Sequence, residues 1–200
     1  AWAKTYEVGV VIDLAYGALG YQGYENPSFL STPGAKDVGI EFYTFSKTFN
    51  MAGWRLAFAA GNDQMIEALN LIQDHLFVGI FPALQEAGIA ALLDPKSEEA
   101  VAQLNATYDS RRDAFVQAAA KIGWQAFPSR GSFYAWMPVP EGYTSESFAD
   151  LLLEKVHVAV APGKGFGPAG DAYVRIGLLV DPKRLVEAVN RIADLHLFDN

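Results

Sequence analysis

The chain contains no cysteine, so neither a disulfide framework nor thiolate chemistry is open to it. Its three histidines, His75, His157 and His196, lie far apart and form no ligand pair at helical spacing. No zinc or other metal site is expected. Basic residues are few: 15 Lys and Arg stand against 23 Asp and Glu, a net charge of -8. That balance argues against nucleic acid or an anionic membrane as partner. No apolar run reaches the ~18 residues of a membrane-spanning helix. No membrane is expected as partner, and the cytoplasm is the expected location. What is plentiful is apolar residues, 51% against 19% charged, the balance of a globular chain. At 200 residues the chain can form one large domain or two modest ones and bury a core without staples. Its opening, AWAKTYEVGVVID, reads as the tail of a helix running into a strand, and the sequence is expected to be a piece of a longer protein.

The apolar, β-branched run 8–12 predicts a fully buried strand of a parallel sheet. Runs 40–45 and 55–61 predict two more strands, the last closed by Gly61. Asn62 and Asp63 cap a predicted helix over 62–75, with Met65, Ile66, Leu69 and Ile72 at helical spacing. A second helix is predicted over 82–93, and Asp94–Pro95 ends it. One long helix is predicted over 97–122, on the order of 40 Å at 1.5 Å per residue. Beyond Gly123 the spacing predicts strands over 133–138, 158–161 and 173–179, and helices over 147–155 and 183–195. A domain boundary near Asp94 would divide residues 1–94 from 95–200, the second part being entered by the long helix.

The chemistry gathers in YTFSKTFNMAGWR. A lysine is costly to bury, but a neutral lysine amine is a nucleophile. Lys47 follows a predicted strand directly, at the carboxyl end where open α/β sheets place ligands. Thr44, Ser46 and Thr48 surround it with hydroxyls, and Arg55 follows eight residues on. An amine, hydroxyls and a guanidinium together suit an aldehyde cofactor that carries a phosphate. Asp13 ends the first predicted strand. It reads either as a loop or cap carboxylate or as the partner of a pyridinium nitrogen, which keeps such a ring protonated as an electron sink. Tyr16, three residues later, reads either as half-buried packing or as a donor to the ring oxygen. Arg175 lies within an apolar strand run and needs a partner, either a structural carboxylate or a substrate carboxylate held by two parallel hydrogen bonds. APGKGFGPAG is not a P-loop, because Lys164 is followed by Gly165 where Ser or Thr is required. It reads as a flexible connection that helps close a small lobe over a substrate. Arg130 reads as a solvated turn residue, and the Phe and Trp residues around it as core.

Taken together, the D-x-x-Y of Asp13 and Tyr16, the T-x-S-K of Thr44, Ser46 and Lys47, and Arg55 resemble the fold type I pyridoxal-phosphate enzymes, class I aminotransferases in particular. The resemblance covers essentially all 200 residues, which look like the C-terminal half of such an enzyme. It implies an α/β fold: the C-terminal part of a large parallel-sheet domain over 1–94, then a small α+β domain over 95–200. It implies pyridoxal 5'-phosphate as cofactor. Lys47 matches the lysine that binds the cofactor aldehyde and moves the substrate α-proton. Asp13 matches the partner of the pyridine nitrogen and Tyr16 the contact to the ring oxygen. Thr44, Ser46 and Arg55 match the phosphate-binding positions, with Thr44 standing where serine is more usual. In YVRIGLLVDPKRLVEAVNRI, Arg175 matches the arginine that grips the α-carboxylate.

The stretches DLAYGALGYQG, GAKDVGIEFYTFSKTFNMAGWR, NLIQDHLFVGIF and PVPEGYTSESFADLLLEK are similar to the methionine-salvage aminotransferases. Those enzymes move an amino group, typically from glutamine, to 4-methylthio-2-oxobutanoate. LL-diaminopimelate, aromatic and aspartate aminotransferases are resembled less closely. The implied activity is ping-pong transamination between an amino acid and a 2-oxo acid, by a homodimer. A carbon–sulfur β-lyase on the same fold would use the same Lys47 and Asp13. A non-catalytic regulatory module that binds the cofactor would need a fused, basic DNA-binding domain, which nothing in the sequence supplies.

Overall fold

The computed structural model describes residues 1–127 and 129–198. The chain divides into two compact units, Ala1–Leu104 and Asn105–Asn200.

In the first unit a short helix α1 (Trp2–Thr5) leads into strand β1 (Val10–Asp13). β1 pairs in parallel with β2 (Gly39–Thr44), with Val10 opposite Gly39 and Asp13 opposite Phe42. The one-turn helix α2 (Phe45–Thr48) follows, then a 3₁₀ turn over Ala52–Trp54. The chain returns along β2 as β3 (Ala57–Gly61), with Thr44 opposite Ala57. The sheet is therefore mixed, in the order β1-β2-β3. β3 runs antiparallel because the connection doubles back at the sheet end and makes no crossover over a face. β1 is less buried than its composition predicts. Val10 and Ile12 are half-buried, but Val11 is 60% exposed, since no element among the described residues covers that face.

Helix α3 (Asp63–Leu76) begins where the Asn62 side chain accepts from the Met65 N–H at 3.1 Å. Its Nδ2 donates to Asp37 O at 3.1 Å, tying the helix start to the loop before β2. Helix α4 (Pro82–Leu93) starts with proline in the first turn, where no backbone donor is lost. Gly88 lets it approach closely: a Cβ there would lie 2.7 Å from Leu56 Cδ2 and 3.3 Å from Phe45 Cζ. Helix α5 (Ser97–Lys121) has 25 residues, and the division between the units falls within it.

The second unit is built on strands β4 (Tyr134–Pro138), β5 (Ala161–Pro162) and β6 (Tyr173–Gly177), in the order β4-β6-β5, antiparallel throughout. Helix α6 (Ser145–Val156) precedes β5, and helix α7 (Pro182–Ala193) closes the chain. Strand alternation sorts the side chains. Ala135, Met137, Val174 and Ile176 face the core, with Phe115, Trp124, Phe148, Leu152, Leu185, Val189 and Ile192. Tyr134, Trp136, Tyr173 and Arg175 therefore share the opposite face, with Trp136 directly opposite Arg175. The buried Trp124 ring donates to Pro138 O at 2.7 Å, so its one polar atom is satisfied. α6 starts two residues earlier than its spacing predicts, because Thr144 and Ser147 form a reciprocal capping box. The strand predicted over 158–161 shortens to Ala161–Pro162. α6 ends in a left-handed His157, and the chain joins the ladder of β6 only at Ala161. Among the described residues no helix is long and apolar enough to cross a membrane, and no cluster of His, Asp and Glu could hold a metal ion.

Candidate active site

Six of the seven predicted site residues belong to the first unit, and five of them cluster around the carboxyl ends of β1 and β2. Parallel pairing brings Asp13, the last residue of β1, level with Phe42. Two residues beyond, Thr44 ends β2 and caps α2. Its Oγ1 accepts from the Ser46 N–H at 3.1 Å and lies 2.9 Å from Ser46 Oγ. With Thr44 Oγ1 donating to Ser46 Oγ, the Ser46 hydroxyl keeps its own proton to donate to another acceptor. α2 is also held at its far end, where the Tyr43 hydroxyl and Thr48 Oγ1 are 2.6 Å apart and Thr48 is buried. Burial pushes the Tyr43 phenol above its ordinary range, and the Thr48 hydrogen bond partly offsets that. Lys47 projects, half-buried, from the short helix fixed at both ends. Its Nζ lies 5.9 Å from the centre of the Tyr16 ring.

Arg55 reaches the same end of the sheet from β3. Its neighbour Leu56 accepts from the Phe45 N–H at 3.1 Å, and Ala57 pairs with Thr44. Arg55 is exposed and left-handed, with φ 54° and ψ 44°. A non-glycine residue held there carries about 1–2 kcal/mol of backbone strain. Its Nη1 donates to Ala52 O at 3.0 Å. Asp13 is exposed in this chain. An amine, a pair of linked hydroxyls and a guanidinium at one sheet end fit an aldehyde with a phosphate tail. A carboxylate at the end of the adjacent strand, with an aromatic hydroxyl beyond it, fits the nitrogen and oxygen of a pyridine ring. These donor types match pyridoxal phosphate.

Arg175 belongs to the second unit. The expected alternative was a structural ion pair, but among the described residues its guanidinium meets no carboxylate. Its centre lies instead 4.2 Å from the centre of the Tyr134 ring and 4.3 Å from that of Phe166, over the face of each. A cation held this way keeps the hydrogens at the edge of its plane for an incoming anion.

Several residues that build the site escape sequence reasoning. Asn26 Nδ2 donates to Tyr16 O at 3.1 Å, Gly17 O at 3.3 Å and Leu19 O at 3.2 Å, and so fixes the loop that carries Tyr16. Its only signal is an Asn-Pro step, which marks a turn and not its partners. Glu41, buried within β2, accepts from the Phe29 N–H at 2.7 Å and from Ser28 Oγ at 3.0 Å. In PSRGSFYAW the expectation of core aromatics holds for Phe133 but not for Trp136. Trp136 lies on the Arg175 face and stacks on Tyr173 at 5.4 Å. APGKGFGPAG does not form an open connection. It winds into two 3₁₀ helices, Gly163–Phe166 and Pro168–Ala172, and supplies Phe166.

The sequence profile of the family described as "Aminotransferase class I and II" matches residues 1–192. The chain is 59% identical over 189 residues to L-glutamine--4-(methylsulfanyl)-2-oxobutanoate aminotransferase of Bacillus subtilis, covering 94% of this chain and 47% of that one. It is 46% identical to LL-diaminopimelate aminotransferase of Moorella thermoacetica, over 96% of this chain and 48% of that one. Apo BacF of Bacillus subtilis superposes with a TM-score of 0.93 at 44% identity, covering 98% of this chain and 50% of the other. The aromatic aminotransferase of Pyrococcus horikoshii gives 0.91 at 32% identity, over 97% and 52%. The chain thus spans about half the length of the relatives it matches. It belongs to the class I and II aminotransferases, with the α/β architecture of fold type I.

Proposed function

We propose that this chain is the lysine-bearing part of a pyridoxal-phosphate-dependent aminotransferase. The enzyme would move an amino group from an amino acid to a 2-oxo acid by a ping-pong route, with glutamine as donor and 4-methylthio-2-oxobutanoate as acceptor. The observation that carries the reading is the placement of Lys47. It sits on a helix pinned at both ends, beside the linked hydroxyls of Thr44 and Ser46, with its amine over the Tyr16 ring. The 59% identity to a glutamine-dependent enzyme of that acceptor supports the substrate pair. On this reading, residues 1–94 complete the large domain and 95–200 form the small one.

In the proposed roles, Lys47 holds the cofactor through its aldehyde carbon. Freed from that carbon, its amine would take the proton from the substrate α-carbon and pass it to the former aldehyde carbon. When bound, pyridoxal phosphate supplies an electron sink for the pair left at the substrate α-carbon. Asp13 keeps a proton on the ring nitrogen, and Tyr16 donates to the ring oxygen. Ser46 donates to the phosphate, Thr44 serves it by holding the Ser46 hydroxyl, and Arg55 meets its charge. Arg175 holds the α-carboxylate. A carboxylate fixed in two parallel hydrogen bonds also fixes which bond at the α-carbon breaks, which favours proton removal over decarboxylation. Assembly as a cytoplasmic homodimer belongs to the same proposal. Both parts of it rest on the family resemblance.

The test is reduction of the full-length protein with borohydride in the presence of pyridoxal phosphate, followed by peptide mapping. A pyridoxyl group on Lys47, lost in Lys47→Ala, is expected. Modification elsewhere, or none, refutes the reading. Release of ammonia and pyruvate without an amino acceptor would assign the fold to β-elimination instead.

A further inference from the structure

The loop between β5 and β6 is more tightly built than a connection requires. Its two arms are pressed together. A Cβ on Gly163 would lie 2.2 Å from Gly170 O, and one on Gly170 would lie 2.0 Å from Gly163 O. Ser145, fully buried at the start of α6, ties both arms. Its Oγ donates to Asp171 Oδ1 at 2.8 Å, its N–H donates to the same oxygen at 3.2 Å, and the Lys164 N–H donates to its Oγ at 3.2 Å. Lys164 Nζ also meets Glu146 at 2.6 Å. At the tip of this clasped loop stands Phe166. It is 54% exposed, so it contributes little to the core, yet its ring centre is held 4.3 Å from the Arg175 guanidinium and 5.8 Å from the Trp136 ring centre, the two rings edge to face.

We propose that Phe166 and Tyr134 make Arg175 a slot for a planar anion, and that Ser145 and Asp171 are positioning residues that set Phe166 in place. The proposal rests on the reading of Arg175 as the carboxylate-binding residue. A guanidinium donates hydrogen bonds only along its edge, in its own plane, and here two rings lie against it. A carboxylate is planar and fits two such bonds without leaving the plane. A phosphonate or sulfonate is tetrahedral, and its remaining oxygens would point at the rings and be desolvated against them. The site therefore selects α-carboxylates and rejects α-phosphonates of the same side chain.

The test uses the full-length, cofactor-loaded enzyme, with methionine and its α-aminophosphonate analogue as probes. Turnover of the amino acid and equilibrium binding of both probes would be measured by titration. Phe166→Ala should raise KM for methionine about ten-fold while kcat changes less than about three-fold, because a partly desolvated cation–π contact shapes binding and does not move protons. The preference for carboxylate over phosphonate in equilibrium binding should shrink by a similar factor. Phe166→Leu, which keeps bulk and loses the aromatic face, guards against a folding defect and should fall between. Ser145→Ala should move KM and the binding preference the same way, by about three-fold. An unchanged binding preference in Phe166→Ala and Ser145→Ala overturns the proposal. Arg175→Gln separates the two claims. If it leaves KM unchanged, the carboxylate role of Arg175 has failed. If it raises KM while the Phe166 variants do not, only the slot has failed.

Discussion

Replacing Asn26 by alanine removes an amide that three carbonyls share, those of Tyr16, Gly17 and Leu19, at 3.1 to 3.3 Å. An amide nitrogen has two hydrogens, so at most two full hydrogen bonds are lost, each contributing about 1 kcal/mol net. Tyr16 O still accepts from the Leu19 N–H, so no further penalty is added for it, and the loop over 16–26 should lose about 2 kcal/mol of local stability. That corresponds to roughly a 30-fold rise in the population of the opened loop. The assay is native-state hydrogen exchange at the Leu19 amide, which donates to Tyr16 O at 2.9 Å and exchanges only when the loop opens. The Leu178 amide of the second unit, bonded to Phe133 O at 2.9 Å, is the internal control and should not move. Asn26→Asp adds a sign. A carboxylate facing three carbonyl oxygens is disfavoured, so the introduced carboxyl has a folded pKa above its unfolded value near 3.9. The folded state then binds more protons, and stability falls as pH rises through that window. Relative to wild type at the same pH, Asn26→Asp should open more than Asn26→Ala at pH 8 and recover as pH falls toward 4. A rise below about three-fold at Leu19 in Asn26→Ala would refute the claim that this one amide organises the Tyr16 loop.

Two further outcomes follow from the same geometry. Arg55→Gly should trade function for stability. Relief of the left-handed backbone should stabilise the cofactor-free protein by about 0.5–1 kcal/mol, while loss of the guanidinium weakens pyridoxal phosphate binding, both readable from thermal melts with and without cofactor. Asp171 is held below the usual carboxylate range, chiefly by its hydrogen bond from the Ser145 side chain. A depressed folded pKa means a contribution that is complete above the unfolded value near 3.9 and is lost as pH falls through the folded one. Exchange at the Lys164 amide, bonded to Ser145, should thus be faster in Asp171→Asn than in wild type at neutral pH, and the two should converge in acid.

The sequence is most readable where the physics is local. Pro82 and the Asp94–Pro95 step bound α4 on the predicted residues, because proline at a helix start and a breaker after its end act within one turn. The grouping of Thr44, Ser46 and Lys47 is readable for the same reason, since one strand end and one helical turn hold all three. What is hidden depends on partners distant in sequence. Ser145 lies before the predicted start of its helix and gains its role from Asp171, 26 residues on. The clasp that turns a glycine-rich stretch into a fixed loop cannot be inferred from either residue alone. Phe166 reads as one aromatic among many until strand register shows that Arg175 faces away from the core, toward it.

The treatment of the arginines shows why shielding by rings differs from neutralisation. Arg112, whose side chain is 14% exposed, is bridged to Asp109 and Asp113. In a chain with 23 acidic residues, carboxylate partners are plentiful. Yet Arg175 faces two rings, and Arg55 a neutral backbone carbonyl. An arginine already paired to a carboxylate must break that pair before it can hold a ligand, and a half-buried acid left behind would be penalised. Rings impose no such exchange. They fix the plane of the guanidinium, remove water from its faces and leave its charge uncompensated, so the electrostatic work of ordering the site is done before an anion arrives. An acid introduced beside Arg175, as in Trp136→Glu directly opposite it on β4, would for that reason weaken carboxylate binding even though it supplies the guanidinium with a partner.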